Sequence, residues 1–279
     1  MLITLTTDFG TQDPYVGIMK GVMAGITPGT GFVDITHAIS PQDVRGAAYL
    51  LWTALPYFPA ESVHLVVVDP GVGTARRAIA AQTPWGTLVG PDNGVFSYVW
   101  AAAPPGLIVQ LENHAYCRPI VSATFHGRDI FAPSAAYIAS GVPLREFGPV
   151  IEDPVRLPLP YLDLERGDIL GEVLYIDHFG NVVTSIGRLV WEGHILHLDP
   201  AFGSLRSILV QPGTVNVVIG GQSFGPIRRT YGEVSQGEHL ALVGSEGMLE
   251  LAISNGNAAS TFNLHVGDVV EIRRTEADS

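Results

Sequence analysis

Apolar residues recur along the first half of the chain at two alternating periods. Leu2–Thr7 is a short β-type run, and Tyr15–Ile26 carries apolar Val16, Met19, Val22, Met23 and Ile26 at helical spacing. Phe32–Thr36 predicts a second strand. Pro41 then opens a helix through Trp52, with proline at the favoured first turn. The run from Val63 ends at Asp69 as a buried strand, followed by short strands at Ala78–Gln82 and Thr87–Val89. Gly94–Ala102 reads as helical and Leu107–Leu111 as a strand. Asp129–Ser140 is a helix stopped by Gly141-Val142-Pro143. This β-α-β-α order predicts an α/β fold with a mainly parallel sheet and helices on both faces.

The pattern changes near Glu152. A proline-rich stretch, Glu152-Asp153-Pro154-Val155-Arg156-Leu157-Pro158-Leu159-Pro160, reads as an extended linker. Beyond it, short alternating runs sit between glycine turns: Ile169–Ile176, Val182–Ile186, Thr214–Ile219, His239–Val243, Leu249–Ile253 and Val269–Ile272. No helix stands out there, and the pattern predicts a smaller antiparallel β-barrel-like or sandwich domain. The expected organisation is an N-terminal α/β domain over 1–151, a linker over 152–167 and a β domain over 168–279.

Composition narrows the class. Of the 279 residues, 47% are hydrophobic and only 15% charged, which excludes general disorder. No apolar run is long enough to span a bilayer, and the first residues lack the features of a secretory signal. The single cysteine, Cys117, excludes an intramolecular disulfide framework and fits a reducing, cytoplasmic setting. A net charge of −12, with one lysine and no basic stripe, argues against a nucleic-acid partner.

Candidate chemistry gathers at the ends of the predicted strands. Asp69-Pro70-Gly71-Val72-Gly73-Thr74-Ala75-Arg76-Arg77 places a carboxylate where open α/β sheets bind ligands, with a fixed positive charge seven residues on. Asp8 ends the first strand in the same way, so the two carboxylates share an edge; the plain alternative is that each caps a turn. Thr124-Phe125-His126-Gly127-Arg128-Asp129 puts an imidazole at a helix entry, where Asp129 could serve as N-cap. Gly71-Val72-Gly73 imitates a dinucleotide fingerprint, but its third glycine is missing and strand-like sequence follows, which excludes NAD binding there. Gly221-Gln222-Ser223-Phe224-Gly225 matches the serine-hydrolase formula without the helix that the elbow requires. His194 and His197 would face opposite sides of a strand, so no metal site is expected. Asp177-His178-Phe179-Gly180-Asn181 is either a plain hairpin or a set of polar contacts beside an aromatic ring.

Taken together, these segments resemble the SAM hydroxide adenosyltransferase family, the adenosine-forming hydrolases of S-adenosyl-L-methionine (SAM) related to fluorinating and chlorinating enzymes. The resemblance runs over nearly the whole chain. It is carried by Thr7-Asp8-Phe9-Gly10, Asp34-Ile35-Thr36-His37, the Asp69 segment, Gly90-Pro91-Asp92-Asn93-Gly94, the His126 segment, Asp177–Asn181 and Gly244-Ser245. It implies cleavage of the C5′–sulfur bond by water to give adenosine and L-methionine, with no cofactor beyond the substrate. It also implies a homotrimer whose sites form between the first domain of one subunit and the second of its neighbour. The family's water-organising residues fall on Asp69, Arg76 and His126, and its ribose-binding aspartate on Asp8. Asp177 matches the residue holding the methionine amino group, and Ser245 falls at the amino-acid end. Phe125, Phe179 and Asn181 match ligand-lining positions, with adenine contacts near Ile253 and Asn255.

Halogenating relatives carry tyrosine where Asp69 stands and serine where Gly127 stands. An anionic Asp69 repels halide, so water is the expected nucleophile. Fluorinating members also differ at Gln42 and Glu246. The sulfonium is already a good leaving group, so the task is to align a water opposite sulfur and move its proton. The expectation is that Asp69 and Arg76 hold the oxygen while His126 helps move the proton. A halogenase and a non-catalytic nucleoside-binding module are the alternatives.

Overall fold

The computed structural model describes residues 1–164, 168–203 and 205–275. The chain divides into two compact units, Met1–Pro158 and Leu159–Ser279.

In the first unit, strands β1 (Leu2–Thr7), β2 (Gly31–Thr36), β3 (Val63–Val67), β4 (Ala78–Thr83), β5 (Gly86–Pro91) and β6 (Ile108–Gln110) form one sheet. Their spatial order is β2-β1-β3-β5-β4-β6, parallel except for β4, which runs against both its neighbours. The mainly parallel sheet read from the hydrophobic pattern is therefore present. Helices α1 (Tyr15–Ile26), α2 (Val44–Ala54), α3 (Ser97–Ala102) and α4 (Ala132–Ala139) flank it.

Strand alternation decides which face each helix covers. Ile3, Leu5, Val63, Leu65 and Val67 point to one side and pack with Met19 and Met23 of α1 and Ala132, Ala135 and Ala136 of α4. Thr4, Thr6, His64 and Val66 point to the other side and are fully buried. Small residues on α4 let helix and sheet come close. His64 satisfies its ring by bonding Thr4 Oγ1 at 2.8 Å and the Trp85 carbonyl at 2.9 Å.

Two local expectations are corrected. The second helix starts at Val44 rather than Pro41, because the Asp43 carboxylate accepts from Gly46 N at 2.8 Å and so caps it. The fourth begins with a π-helical turn, Gly127–Phe131, before the α-helix proper. Asp129 is not its N-cap; its buried carboxylate instead accepts from Ser122 N and from the Arg128 guanidinium.

The proline-rich stretch lies along the first unit as far as Leu157. Arg77 donates to Asp92 (2.7 Å) and to the side chain and carbonyl of Asp153, Asp92 accepts from Val155 N, and Ser97 Oγ accepts from Leu157 N. Residues 165–167 of the expected linker lie outside the described residues.

The second unit contains β7 (Leu162–Asp163), β8 (Ile169–Ile176), β9 (Val182–Gly187), β10 (Leu189–Glu192), β11 (Ile195–Leu198) and β12 (Ile208–Val210). After these come β13 (Val215–Ile219), β14 (Gln222–Gly225), β15 (Ile227–Arg228), β16 (His239–Val243), β17 (Met248–Ile253) and β18 (Val269–Arg274). Strands β10, β11 and β12 make a small antiparallel sheet, and the rest a nearly closed one ordered β14-β13-β18-β8-β9-β17-β16-β15, with β7 on β8. Its inward side chains, among them Val173, Val182, Ile186, Val217, Leu249, Leu251 and Val270, form a single apolar core. A short helix, α5 (Ala258–Phe262), is capped by Asn257 and corrects the expectation of a domain without helix.

Candidate active site

Strands β1 and β3 are parallel neighbours in register Thr7↔Val67, so the residues that follow them leave the sheet at one edge. Asp8 follows the first directly and Asp69 lies two residues beyond the second. The carboxylate of Asp8 accepts from the backbone of Gln42 at 2.8 Å, which ties it to the segment ahead of α2.

Asp69 and Arg76 face each other across a tight loop. Arg76 Nε donates to Asp69 Oδ1 at 2.8 Å, and Nη2 donates to Oδ2. This two-pronged pairing fixes both planes. Both side chains are nearly buried, 5% exposed for Asp69 and 10% for Arg76, which keeps the pair from being screened by water. The guanidinium lies over the Phe131 ring at 5.1 Å, which holds its other face.

Arg76 Nη2 also donates to His126 Nδ1 at 2.9 Å. A guanidinium only donates, so Nδ1 accepts and the ring proton sits on Nε2. Burial and the Arg76 charge push the His126 pKa below its ordinary value, against the opposite pull of Asp69 and Asp129. The imidazole is therefore neutral near pH 7.

Two turns must meet for this to happen. Gly73 has φ +77°, and a β-carbon there would fall onto the Ala123 carbonyl oxygen. Only glycine lets the Asp69 loop press against the backbone two residues before Phe125. Phe125 packs edge-on with Tyr15 (5.2 Å) and Phe9 (6.0 Å), beside Asp8. The four residues expected at the water and ribose end, together with Phe125, thus belong to the first unit.

The second unit holds a cavity of about 760 Å³. Asp177, Phe179, Asn181, Ser245, Ile253 and Asn255, all read from the sequence as ligand-lining, line this one cavity. Asp177 accepts from the backbone of Phe179 and Asn181 and from the Asn181 side chain at 2.8–2.9 Å, which shapes the loop between β8 and β9. Phe179 is 72% exposed, an unusual position for a phenylalanine and one that suits ring stacking. Sequence reasoning missed Arg229, Tyr231 and Glu250 of the same wall. Glu250 is adjacent to the Ser245 segment only through the β16–β17 hairpin, so spacing alone gave no signal.

The other motifs resolve simply. Ser223 lies on β14 and donates to Asn216 at 2.6 Å, with strand β15 rather than a helix after it. His197 on β11 pairs with Glu192. No cluster of three metal-ligating side chains and no helix long and apolar enough to cross a membrane occurs among the described residues.

Two family models match the chain: the SAM hydroxide adenosyltransferase N-terminal domain over residues 3–148 and the corresponding C-terminal domain over 171–271. A Salinispora tropica protein named (R)-S-adenosyl-L-methionine hydrolase is 44% identical over 275 residues, covering 97% of each chain. A Thermus thermophilus protein of the same name is 42% identical over 276 residues, 95% of this chain and 97% of that protein. A fluorinase from Actinoplanes sp. is more distant, at 30% identity over 98% of this chain and 97% of that protein. Among solved structures, an uncharacterized conserved protein from Thermotoga maritima superposes with a TM-score of 0.85 at 35% identity, covering 98% of this chain and 100% of that one.

Proposed function

The chain belongs to the SAM hydroxide adenosyltransferase family, and from that premise we propose that it is an enzyme that hydrolyses SAM at the C5′–sulfur bond. The observation that carries this reading is the Arg76 guanidinium bonded to both Asp69 and His126 at the sheet edge. A water oxygen attacks C5′, the C5′–sulfur bond breaks with its electron pair going to sulfur, and the water gives up one proton. The products are adenosine and L-methionine. Positive sulfur leaves as a neutral thioether, so no acid or cofactor has to assist departure.

The hydrogen bonds support one division of labour. His126 Nδ1 is engaged by Arg76, so Nε2–H is left as the ring's donor. Each Asp69 oxygen accepts one bond from Arg76 and retains acceptor capacity. In this reading Asp69 takes the water proton, and His126 and Arg76 orient the oxygen. The carboxylate also disfavours halide at the same position. The ribose falls to Asp8 and Phe125, and the adenine and amino-acid ends to the cavity of the second unit. A homotrimer, in which the first unit of one subunit serves the second unit of its neighbour, completes the site, and a cytoplasmic setting fits the single cysteine.

The hydrolase relatives are named for the (R) substrate, so both sulfonium epimers belong in the test. Incubation in oxygen-18 water followed by chromatography and mass spectrometry should give adenosine labelled at the 5′-oxygen, together with methionine. Intact SAM with well-folded protein overturns the enzyme reading. A 5′-halogenated nucleoside in chloride or fluoride makes it a halogenase instead.

A further inference from the structure

The cavity of the second unit carries more negative charge than the assigned contacts use. Asp177 and Glu250 both line it, and no lysine or arginine among the described residues pairs with either. Arg229 lines it too, but its guanidinium stacks on Trp191 at 3.9 Å and donates to the Gly193 carbonyl. Tyr231 donates its hydroxyl to Glu250 Oε1, which fixes the carboxylate and leaves the second oxygen unclaimed. That second oxygen lies against Gly244, where a β-carbon would sit only 2.8 Å from it. The glycine next to Ser245 thus makes room for a carboxylate in the cavity wall.

We propose that Glu250, held by Tyr231 and accommodated by Gly244, is a specificity-determining residue that receives the substrate's α-ammonium group jointly with Asp177. This inference rests on the SAM reading above. SAM carries two positive groups, the sulfonium and the ammonium, against one carboxylate, so two carboxylates in the wall, beside an Arg229 guanidinium held on Trp191 and Gly193, favour it over both neutral adenosine and zwitterionic methionine. Burial pushes the Glu250 pKa up, as does the nearby Asp177 charge, against the Tyr231 hydrogen bond. A bound cation relieves both penalties, which is how an acidic wall selects its ligand.

Calorimetric titration with SAM tests this on the full-length protein. Glu250→Gln should weaken SAM binding by roughly tenfold or more, with the loss carried by KM rather than kcat. A SAM analogue lacking the α-amino group should bind wild type and Glu250→Gln equally. Gly244→Ala retains both carboxylates but displaces one, and should weaken SAM in the same direction. The wild-type KM should rise as pH falls into the raised Glu250 range, and this dependence should vanish in Glu250→Gln. Unchanged SAM affinity in Glu250→Gln, or an equal loss with the amino-less analogue, overturns the proposal. If the wild type itself does not bind SAM, the proposed function fails instead.

Discussion

Arg76 donates one Nη2 hydrogen bond to Asp69 and another, at 2.9 Å, to Nδ1 of His126. This shared nitrogen makes the three side chains one unit and sets which ring nitrogen carries the proton. It also separates Arg76 from its neighbour Arg77, which serves the Asp92–Asp153 strap instead.

Asp69→Asn keeps the shape of the loop but removes the proton acceptor. We expect kcat to fall by ~10³-fold while SAM still binds. His126→Asn preserves an acceptor for Arg76 and should cost only ~10-fold. Single-turnover kinetics on the two variants checks the order; a larger loss at His126 would return the proton to the imidazole.

The neutrality of His126 sets an acid limb. With burial and the Arg76 charge holding its pKa below the ordinary histidine value, kcat should be level through neutral pH and its acid limb should lie on the acid side of an unperturbed histidine's. Protonation abolishes the acceptor at Nδ1 and places a cation beside the guanidinium. A pH profile at saturating substrate reads this, and His126→Asn should flatten the limb.

Gly73→Ala places a side chain at positive φ and against the Ala123 carbonyl. The expected cost is about 2 kcal/mol of stability, with a fall in kcat because the Asp69 loop is displaced from the His126 turn. Urea midpoints and steady-state rates measure the two effects separately.

His64 predicts an acid weakening of the first unit. Burial lowers its pKa from 6.5 to about 4 against the opposing Trp85 hydrogen bond. A lowered histidine favours the folded state fully above pH 6.5, and that contribution is lost as pH falls from 6.5 toward 4. Between pH 7.5 and pH 5 the loss is about 2 kcal/mol. His64→Leu, compared with wild type by urea denaturation at both pH values, should lose much of this pH dependence.

Particular elements show how far the chain is legible by itself. Leu2–Thr7 and Tyr15–Ile26 were readable to the residue, because a strand leaving at a carboxylate and a helix with one apolar face leave periodic marks. The start at Val44 is not legible in the sequence, because Pro41 is itself a suitable first-turn residue and only the folded backbone brings the Asp43 carboxylate onto Gly46 N. Strands β10, β11 and β12 and helix α5 escaped notice because short elements packed on a barrel carry too few positions to show a period.

The sequence by itself determined the fold class, the strand-end carboxylates and the family, since each is written in local patterns and their order. Tertiary structure decided the rest. Strand pairing realised the shared edge of Asp8 and Asp69 that their strand-end positions predict, but only the close approach at Gly73 joined the Asp69 loop to the His126 turn. The β16–β17 hairpin brought Glu250 to Gly244 and Ser245. Hydrogen-bond direction and desolvation depend on which groups meet in space, and so the tautomer of His126 and the charge of the Glu250 wall appear only once the chain has folded.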